Sequence, residues 1–400
     1  MSTKATLINI GFNKFRERRK SERIPLDPYL LMSGIILLCV GLVMMTSASI
    51  SEADRLYHNP FYFFQRQSLF IVVGLMAGFV VYKLPLHIWQ TLRPLLLLLG
   101  MLLLLVLLIP GVGQTVNGST RWIRLGSINF QVSELVKILT ILFFAGYLSK
   151  YHQALKLAVK PALLPLFILS ILGGLLLMQP DFGATVVITV TTMSMLLLAG
   201  VRLKVFSFMI VSAGLIFALL TYTSPYRLAR FTAFLDPWAD PFNSGFQLSQ
   251  SLIAFGRGEW FGVGLGESVQ KLFYLPEAHT DFVFAVIAEE LGVVGAILVI
   301  GLYGFISWRA LQIGKALEKT EQYFAAFLSY GIGCWLVFQA YVNIGVSMGV
   351  LPTKGLTLPL MSYGGSSMVI SCVAIALLLR ADYELRFQYR EQNKERRAKC

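Results

Sequence analysis

Charged residues are scarce in this chain of 400 residues, where Asp, Glu, Lys and Arg together make up only 14%. An average soluble domain carries about 25% charged residues, so the composition disfavours a soluble globular protein. Hydrophobic residues make up 56% instead, and apolar runs of about 18 residues recur along most of the chain. Runs of this length are typical of helices that cross a membrane.

Cysteine and histidine are also few, with four of each. Cys39, Cys334 and Cys372 lie inside apolar segments, and Cys400 is the last residue, so no framework of paired cysteines is present. We therefore assign no disulfide, and the scattered histidines predict no metal site. No Ser/His or Cys/His catalytic arrangement is evident either.

The apolar runs predict an all-α, polytopic membrane protein of about ten transmembrane helices, with a large extracytoplasmic loop between helices 7 and 8. We divide the chain into a basic tail (1–28), a membrane domain (29–380) and a second basic tail (381–400). The predicted apolar segments are residues 29–49, 67–83, 92–109, 131–149, 161–179, 182–200, 205–222, 282–307, 323–347 and 366–380.

The distribution of Lys and Arg predicts the orientation. With the N-terminus inside, 24 of the 34 lie in the tails and inner loops or their flanks. This bias favours two cytoplasmic termini, and it explains the net charge of +13 without nucleic acid. The outer surface is then formed by the loops 50–62, 110–130, 223–281 and 348–365. The loop 223–281 is rich in aromatic residues, so we expect short helices packed on the membrane surface.

Charged residues in or beside membrane helices are costly and therefore informative. Glu134 and Lys137 lie three residues apart on the fourth helix and can pair on one face. That pair can be structural or can contact substrate, and the sequence leaves both interpretations open. Asp181 follows Pro180 at an outer turn, where a helix N-cap is the favoured interpretation and support of a site is the alternative.

A second set of acids belongs to the eighth helix. Asp281 begins this helix at the outer membrane boundary, where the helix dipole also suits an acid. Glu289 and Glu290 follow about 12 Å deeper by helical rise. Adjacent acids on an apolar helix need buried partners or water, so they are candidates for supporting the same site.

Cations and hydrogen-bond donors gather in the outer loops. Lys354 is the one cation in the last outer loop, and Ser366 and Ser367 open the tenth helix. Backbone N–H groups at a helix N-terminus suit an anion such as phosphate. Arg121 adds a cation from the loop 110–130. These residues predict an anion-binding surface beside Asp281.

Several motifs, in order along the chain, resemble those of the SEDS family (shape, elongation, division and sporulation). The resemblance extends from the first helix to Arg380. Within the family, Glu277-Ala278-His279 and Pro352-Thr353-Lys354-Gly355 resemble the division member rather than the elongation member. The other matching motifs are Gly118-Ser119-Thr120-Arg121-Trp122-Ile123, Ser133-Glu134-Leu135-Val136-Lys137, Gln179-Pro180-Asp181-Phe182-Gly183, the run from Leu275 to Gly292 and the run from Leu351 to Ser367.

The resemblance implies a peptidoglycan glycosyltransferase that polymerises lipid II onto a nascent glycan strand at the division septum of a bacterial cytoplasmic (inner) membrane. It also implies a cognate class B penicillin-binding transpeptidase (FtsI-type) and other divisome membrane proteins as partners. By the same resemblance Asp281 matches the essential acid, Glu134 and Lys137 match a polar pair in the central cavity, and Lys354 lies in a functional loop.

The residue chemistry suits this role. A lipid pyrophosphate leaves as a stabilised anion, so one carboxylate that takes the acceptor proton is enough, unlike the two of a glycosidase. Lys354, Arg121 and the helix after Ser367 would stabilise the departing charge. We assign no certain cofactor, and a divalent cation (Mg²⁺ or Mn²⁺) that assists the pyrophosphate stays open.

Three alternatives compete with the septal enzyme. A lipid II flippase would use intramembrane charges such as Glu134 and Glu289 as a polar headgroup path. An elongation polymerase would perform the same chemistry elsewhere in the cell. A scaffold that only recruits a transpeptidase leaves the buried charges unexplained.

The orientation is testable by cysteine labelling. We expect a Gln250→Cys protein, with the native cysteines removed, to react with a membrane-impermeant maleimide added from outside, because the Lys/Arg bias places the loop 223–281 there. A matched cysteine in the first 28 residues should react only after the cells are permeabilised. Labelling of residue 250 from the cytoplasmic side alone would overturn the orientation and the mechanism that depends on it.

Overall fold

The computed structural model describes residues 26–116, 119–126, 128–352 and 355–398. These residues form a bundle of helices with one small sheet. The helices are α1 Pro28–Tyr57, α2 Tyr62–Lys83, α3 Leu86–Leu107, α4 Val132–Leu157, α5 Lys160–Met178, α6 Phe182–Leu198, α7 Leu203–Tyr222, α8 Pro225–Leu235, α9 Phe246–Gly258, α10 Val283–Lys319, α11 Tyr323–Ser347 and α12 Gly365–Ala398. The strands are β1 Gly113–Val116, β2 Ser119–Leu125 and β3 Ile128–Gln131.

Eight of the described helices, α1–α5, α7, α10 and α11, are long and apolar enough to cross a membrane. Helix α6 is apolar but has 17 residues, and α12 opens with the apolar stretch 365–379. With these two, ten helices form the bundle, so the prediction of an all-α polytopic membrane protein is confirmed. Asp27 and Pro28 start α1 as N-cap and first residue, and Asp181 caps α6.

The helices extend beyond the predicted apolar segments. Helix α12 continues from the membrane domain to Ala398, through the predicted tail 381–400. Its charged part carries the ion pair between Arg380 and Glu384, four residues apart, which supports a helix in water. Hydropathy marks only the apolar part of a helix and therefore places the end too early. Of the predicted N-terminal tail, residues 1–25 lie outside the described residues.

Helices α4, α10 and α11 form the centre of the bundle. Helix α11 packs against α4, α6 and α10, while α2 lies along α12. Helix α7 is mostly exposed, and its main neighbours are α6 and α8. We call the end of the bundle with residues 110–131, 223–281 and 348–365 the loop face.

The loop 110–130 contains a three-stranded antiparallel sheet that the sequence did not predict. Strand β2 is central, and Trp122 pairs with Gln114 on one side and Gln131 on the other. Strand β3 continues directly into α4 at Val132. The sheet therefore fixes the height at which α4 enters the bundle, and with it the positions of Glu134 and Lys137.

Helix α10 is broken at Gly292, which has a φ of +66°. The segment 259–264 occupies the break: Val263 and Gly264 donate their N–H groups to the carbonyls of Glu289 and Glu290. In return Val293 donates to the Glu259 carbonyl. The segment 259–264 of the loop 223–281 therefore lies against α10 about two turns beyond the start of that helix. The predicted packing of the loop on the membrane surface stays a prediction. Helices α8 and α9 are the short helices that the prediction expected.

The break can be tested with two glycines of α10. A Cβ on Gly292 would lie 2.4 Å from the Gly262 nitrogen, and the φ of +66° is poorly accessible to alanine. We expect Gly292→Ala to destabilise the protein by about 1–3 kcal/mol, measured as a lower melting temperature in detergent. Gly301→Ala is the matched control, since a Cβ there meets no atom within 4 Å. An equal melting temperature for both variants would contradict the described break.

Candidate active site

Asp281 lies at the loop face, two residues before α10. Its N–H donates to the Glu277 carbonyl at 3.1 Å, which closes the turn that precedes the helix. Its own carbonyl accepts a hydrogen bond of 2.7 Å from Nδ2 of Asn343 on α11. The backbone of Asp281 is therefore held from both sides, while its carboxylate faces Gly355: a Cβ built there would lie 3.1 Å from Oδ2.

The surroundings of the Asp281 carboxyl favour proton transfer near neutral pH. Burial raises its pKa to about 7, and the neighbouring carboxylate of Glu277 adds to the rise. The positive charges of Arg121 and Arg230 act in the opposite direction. A carboxylate with such a pKa is a stronger base than one in water, and a large fraction of it is ionised at neutral pH.

Arg121 joins the sheet to the turn before α6. Its Nη2 donates to the Pro180 carbonyl at 2.7 Å, and Nη1 lies 3.7 Å from Oδ1 of Asp181. The same Oδ1 accepts the N–H of Ala184 at 3.1 Å, so the N-cap interpretation of Asp181 is confirmed. Asp181 thus positions a cation that acts on Asp281, and a direct role for it in the reaction stays a prediction.

Glu134 and Lys137 form an ion pair inside the bundle, 2.7 Å apart and 3% and 2% exposed. Nζ of Lys137 also donates to Oε1 of Gln339 at 2.6 Å. That amide oxygen accepts a second bond from the indole N–H of Trp335 at 2.8 Å. Oε2 of Glu134 has no partner among the described residues. The pair is therefore built into the core, and contact with substrate stays a prediction.

The segment 355–358 connects this core to the start of α12. Nε2 of Gln339 donates to the Thr357 carbonyl at 3.0 Å, and the Thr357 hydroxyl donates to Oγ of Ser367 at 2.8 Å. Oγ of Ser366 accepts the N–H of Gln131 at 2.8 Å. Both serine hydroxyls thus hold protein groups in place, and their predicted contact with substrate is untested. Lys354 lies outside the described residues.

Glu289 and Glu290 are fully buried, and their partners come largely from the long loop. Glu289 pairs with Arg257 at 2.9 Å, and Glu290 pairs with Lys271 at 2.8 Å. Glu290 also accepts the hydroxyl of Ser47 from α1 at 2.7 Å. The expected partners are therefore present, and these acids anchor the loop to α10. Their predicted support of the site stays a prediction.

The family model for cell cycle proteins of the FtsW, RodA and SpoVE type matches residues 29–387. The chain belongs to this family. Members similar to it include the probable peptidoglycan glycosyltransferase FtsW of Thioalkalivibrio sulfidiphilus, 54% identical over 90% of each chain. The protein of the same name from Coxiella burnetii is 51% identical over 90% of this chain and 96% of its own.

Two solved structures share the fold. A chain from work on the structural coordination of polymerization and crosslinking by a peptidoglycan synthase complex superposes with a TM-score of 0.71 and 28% identity, covering 90% of this chain and 98% of that one. The rod shape determining protein RodA of Thermus thermophilus gives 0.65 and 28%, covering 89% and 96%. The family relationship thus extends over nearly the whole chain.

Several residues near Asp281 were not predicted from the sequence. His279 lies within the motif Glu277-Ala278-His279, and its ring packs on Phe63, 4.6 Å away between centroids. Arg230 on α8 acts on Asp281 across the long loop, and nothing in its local sequence indicates this. Gln339 and Asn343 carried a signal: they are polar residues four positions apart on an otherwise apolar helix.

A cavity of about 550 Å³ opens at the end of the bundle opposite the loop face. Its lining includes His87, Tyr323, Arg380 and Tyr383. There, Oε1 of Glu384 accepts hydrogen bonds from Nε of Arg380 and from the Leu86 N–H. None of the residues predicted for the active site lines it.

The Glu134–Lys137 pair can be tested by single and double substitution. Removing one partner leaves the other charged in a dry core, so Glu134→Gln or Lys137→Met alone should each lower stability by about 3–5 kcal/mol. The double variant should recover most of that stability, measured by melting. If the pair contacts substrate, the double variant should be stably folded and yet inactive in glycan polymerisation. Full activity of the double variant would exclude the substrate role.

Proposed function

We propose that this chain, a peptidoglycan glycosyltransferase, polymerises lipid II into glycan strands at its loop face, with Asp281 as the general base. Relatives more than 50% identical over nine tenths of the chain are named probable peptidoglycan glycosyltransferases. The observation that supports Asp281 is its setting. It combines a carboxyl of pKa about 7, a backbone held from two sides and nearby arginines.

The reaction is a displacement at the anomeric carbon of the donor sugar. The hydroxyl oxygen of the acceptor sugar forms a bond to this carbon, and the bond from the carbon to the pyrophosphate oxygen breaks with its electron pair. The hydroxyl proton moves to the carboxylate of Asp281. The lipid pyrophosphate departs as an anion, so no second carboxyl has to protonate it, unlike in a glycosidase.

The departing negative charge needs stabilisation at the loop face. Arg121 and Arg230 both act electrostatically on Asp281, so they lie close enough to act on a pyrophosphate beside it. We place Lys354 and the N–H groups at the start of α12, near Ser366 and Ser367, in the same role. The lipid tails would stay in the bilayer, which brings the reacting groups to the membrane boundary.

A divalent cation fits this site only with help from the substrate. The described residues contain no group of three His, Cys, Asp or Glu side chains that could hold a metal ion. Mg²⁺ is commonly bound by one or two carboxylates together with substrate phosphates, and Asp281 and Glu277 are the acids available here. We therefore propose that Mg²⁺ or Mn²⁺, when it assists, is carried mainly by the pyrophosphate.

We infer the cellular setting from the family. We place the protein in the bacterial inner membrane at the division septum, with both termini in the cytoplasm as the Lys/Arg bias indicates. One structural relative comes from a peptidoglycan synthase complex that joins polymerization to crosslinking. By analogy we propose a class B penicillin-binding transpeptidase as partner, alongside other divisome membrane proteins. The elongation polymerase remains the alternative setting for the same chemistry.

A lipid II flippase is the second candidate, and the contacts in the bundle do not favour it. That interpretation relied on intramembrane charges that could line a headgroup path. Glu134, Glu289 and Glu290 are instead paired with Lys137, Arg257 and Lys271. Polymer formation from lipid II by the purified protein separates the two functions.

Asp281→Asn tests the general base directly. Asparagine keeps the size of the side chain but cannot take the proton, so we expect polymerisation to fall by about 10²–10⁴-fold with little change in the melting temperature. In the unsubstituted protein the base must be ionised, so the rate should rise with pH through about 7. The measurement is glycan chain formation from labelled lipid II with the transpeptidase partner, as a function of pH.

Two controls sharpen this experiment. Asp240→Asn changes a partly exposed acid of the same loop that caps its own turn, and this variant should polymerise normally. Glu277→Gln removes the neighbouring negative charge, so the rise in rate should move to lower pH. Normal turnover by Asp281→Asn would remove the general-base assignment and redirect attention to Glu289 and Glu290.

A further inference from the structure

We propose that Asn343 is a positioning residue for Asp281: its side-chain amide ties the backbone of the base to the segment 355–358 and so fixes where the carboxylate lies. The inference rests on the proposed function of Asp281. It assigns to Asn343 no contact with substrate, only control over the group that takes the proton.

The amide of Asn343 makes two bonds to two separate chain segments. Its Nδ2 donates to the Asp281 carbonyl at 2.7 Å and to the Leu356 carbonyl at 2.6 Å. Asn343 is 1% exposed and lies on α11, the helix at the centre of the bundle. A rigid central helix thus holds together two loops that are 75 residues apart in sequence, and Asp281 is the proposed base on one of them.

The orientation of this amide has a cost that points to a role beyond packing. With both N–H groups used, Oδ1 is buried and has no partner among the described residues. A buried acceptor left without a hydrogen bond lowers stability, and such groups in native proteins call for an explanation. An aliphatic side chain of the same shape would avoid that cost, but it would release both carbonyls.

The spacing around the carboxylate leaves little freedom for it to move. A Cβ on Gly355 would lie only 3.1 Å from Oδ2 of Asp281, so even a methyl group there would displace the carboxylate by a few tenths of an ångström. Gly355 is the neighbour of Leu356, whose carbonyl Asn343 holds. The hydrogen bond from Asn343 to the Leu356 carbonyl therefore also sets the distance between the Asp281 carboxylate and Gly355 on its opposite side.

One helical turn away, Gln339 repeats the arrangement. Its Nε2 holds the Thr357 carbonyl at 3.0 Å, while its Oε1 accepts Nζ of Lys137 at 2.6 Å. The two side-chain amides thus donate hydrogen bonds to the carbonyls of successive residues, Leu356 and Thr357, in the segment 355–358. The buried pair of Glu134 and Lys137 is thereby connected to Asp281 through protein groups alone, which gives that pair a way to influence the base without touching substrate.

The test compares Asn343→Leu with Ser251→Ala. Leucine matches asparagine in shape but donates no hydrogen bond, so the Asp281 carboxylate should lose its fixed place. We expect kcat to fall by about 10- to 100-fold, since small misplacements of reacting groups have such effects, with KM for lipid II changed less than about threefold. The rise in rate with pH should also move to lower pH than in the unsubstituted protein, because a carboxyl released from its place gains further contact with water and its pKa falls.

Ser251→Ala is the matched control, because it also removes a buried side-chain bond to a backbone carbonyl of α11, that of Ser347 at 2.7 Å. It should lower the melting temperature and leave the pH profile and kcat near normal. Gly355→Ala is the second variant, in case Asn343→Leu fails to fold. The added methyl group displaces the Asp281 carboxylate from the side opposite Asn343. This variant should therefore lower kcat in the same way, although the side-chain amide of Asn343 is unchanged.

The outcomes separate the two proposals. If Asp281→Asn is inactive while both Asn343→Leu and Gly355→Ala keep the kcat and pH profile of the Ser251→Ala control, the positioning role is wrong and the general base stands. If Asp281→Asn polymerises normally, the proposed function of Asp281 itself fails. A loss of kcat with a shifted pH profile in a folded Asn343→Leu protein supports the inference.

Discussion

The cost of burying charge away from water is the constraint on which this structure depends. An ion taken into a low-dielectric interior costs several kcal/mol unless a partner and hydrogen bonds compensate for it. Glu289, Glu290 and Glu134 meet this demand through Arg257, Lys271 and Lys137. The first two pairs join a transmembrane helix to the long loop, so satisfying the charges also assembles the loop face.

Much of the fold could be predicted, because a bilayer requires long apolar helices and the sequence displays them directly. The sheet was missed because its strands have four to seven residues and sit within a loop that shows no clear alternation. The break at Gly292 was missed for a different reason. A single glycine in an apolar run looks like ordinary helix interior, and only the distant segment 259–264 reveals why the helix stops there.

The candidate active site was likewise predicted only in part. Asp281 and Arg121 were predicted from residue type and position, and the structure brings them into one electrostatic environment. The partners of Glu289 and the amide ties of Asn343 depend on contacts between elements far apart in sequence, which periodicity does not specify. A partial signal existed in the spacing of Gln339, Asn343 and Ser347 on an apolar helix, which predicts a polar face turned toward the protein interior.

The broken helix has a consequence for how this loop can evolve. Between Arg257 and Lys271 the chain is attached at three points: one ion pair at each end and the backbone bonds of 259–264 in the middle. Each attachment requires a set number of residues between it and the next. An insertion or deletion within this stretch would move at least one attachment out of register, so natural variation in loop length has to fall elsewhere.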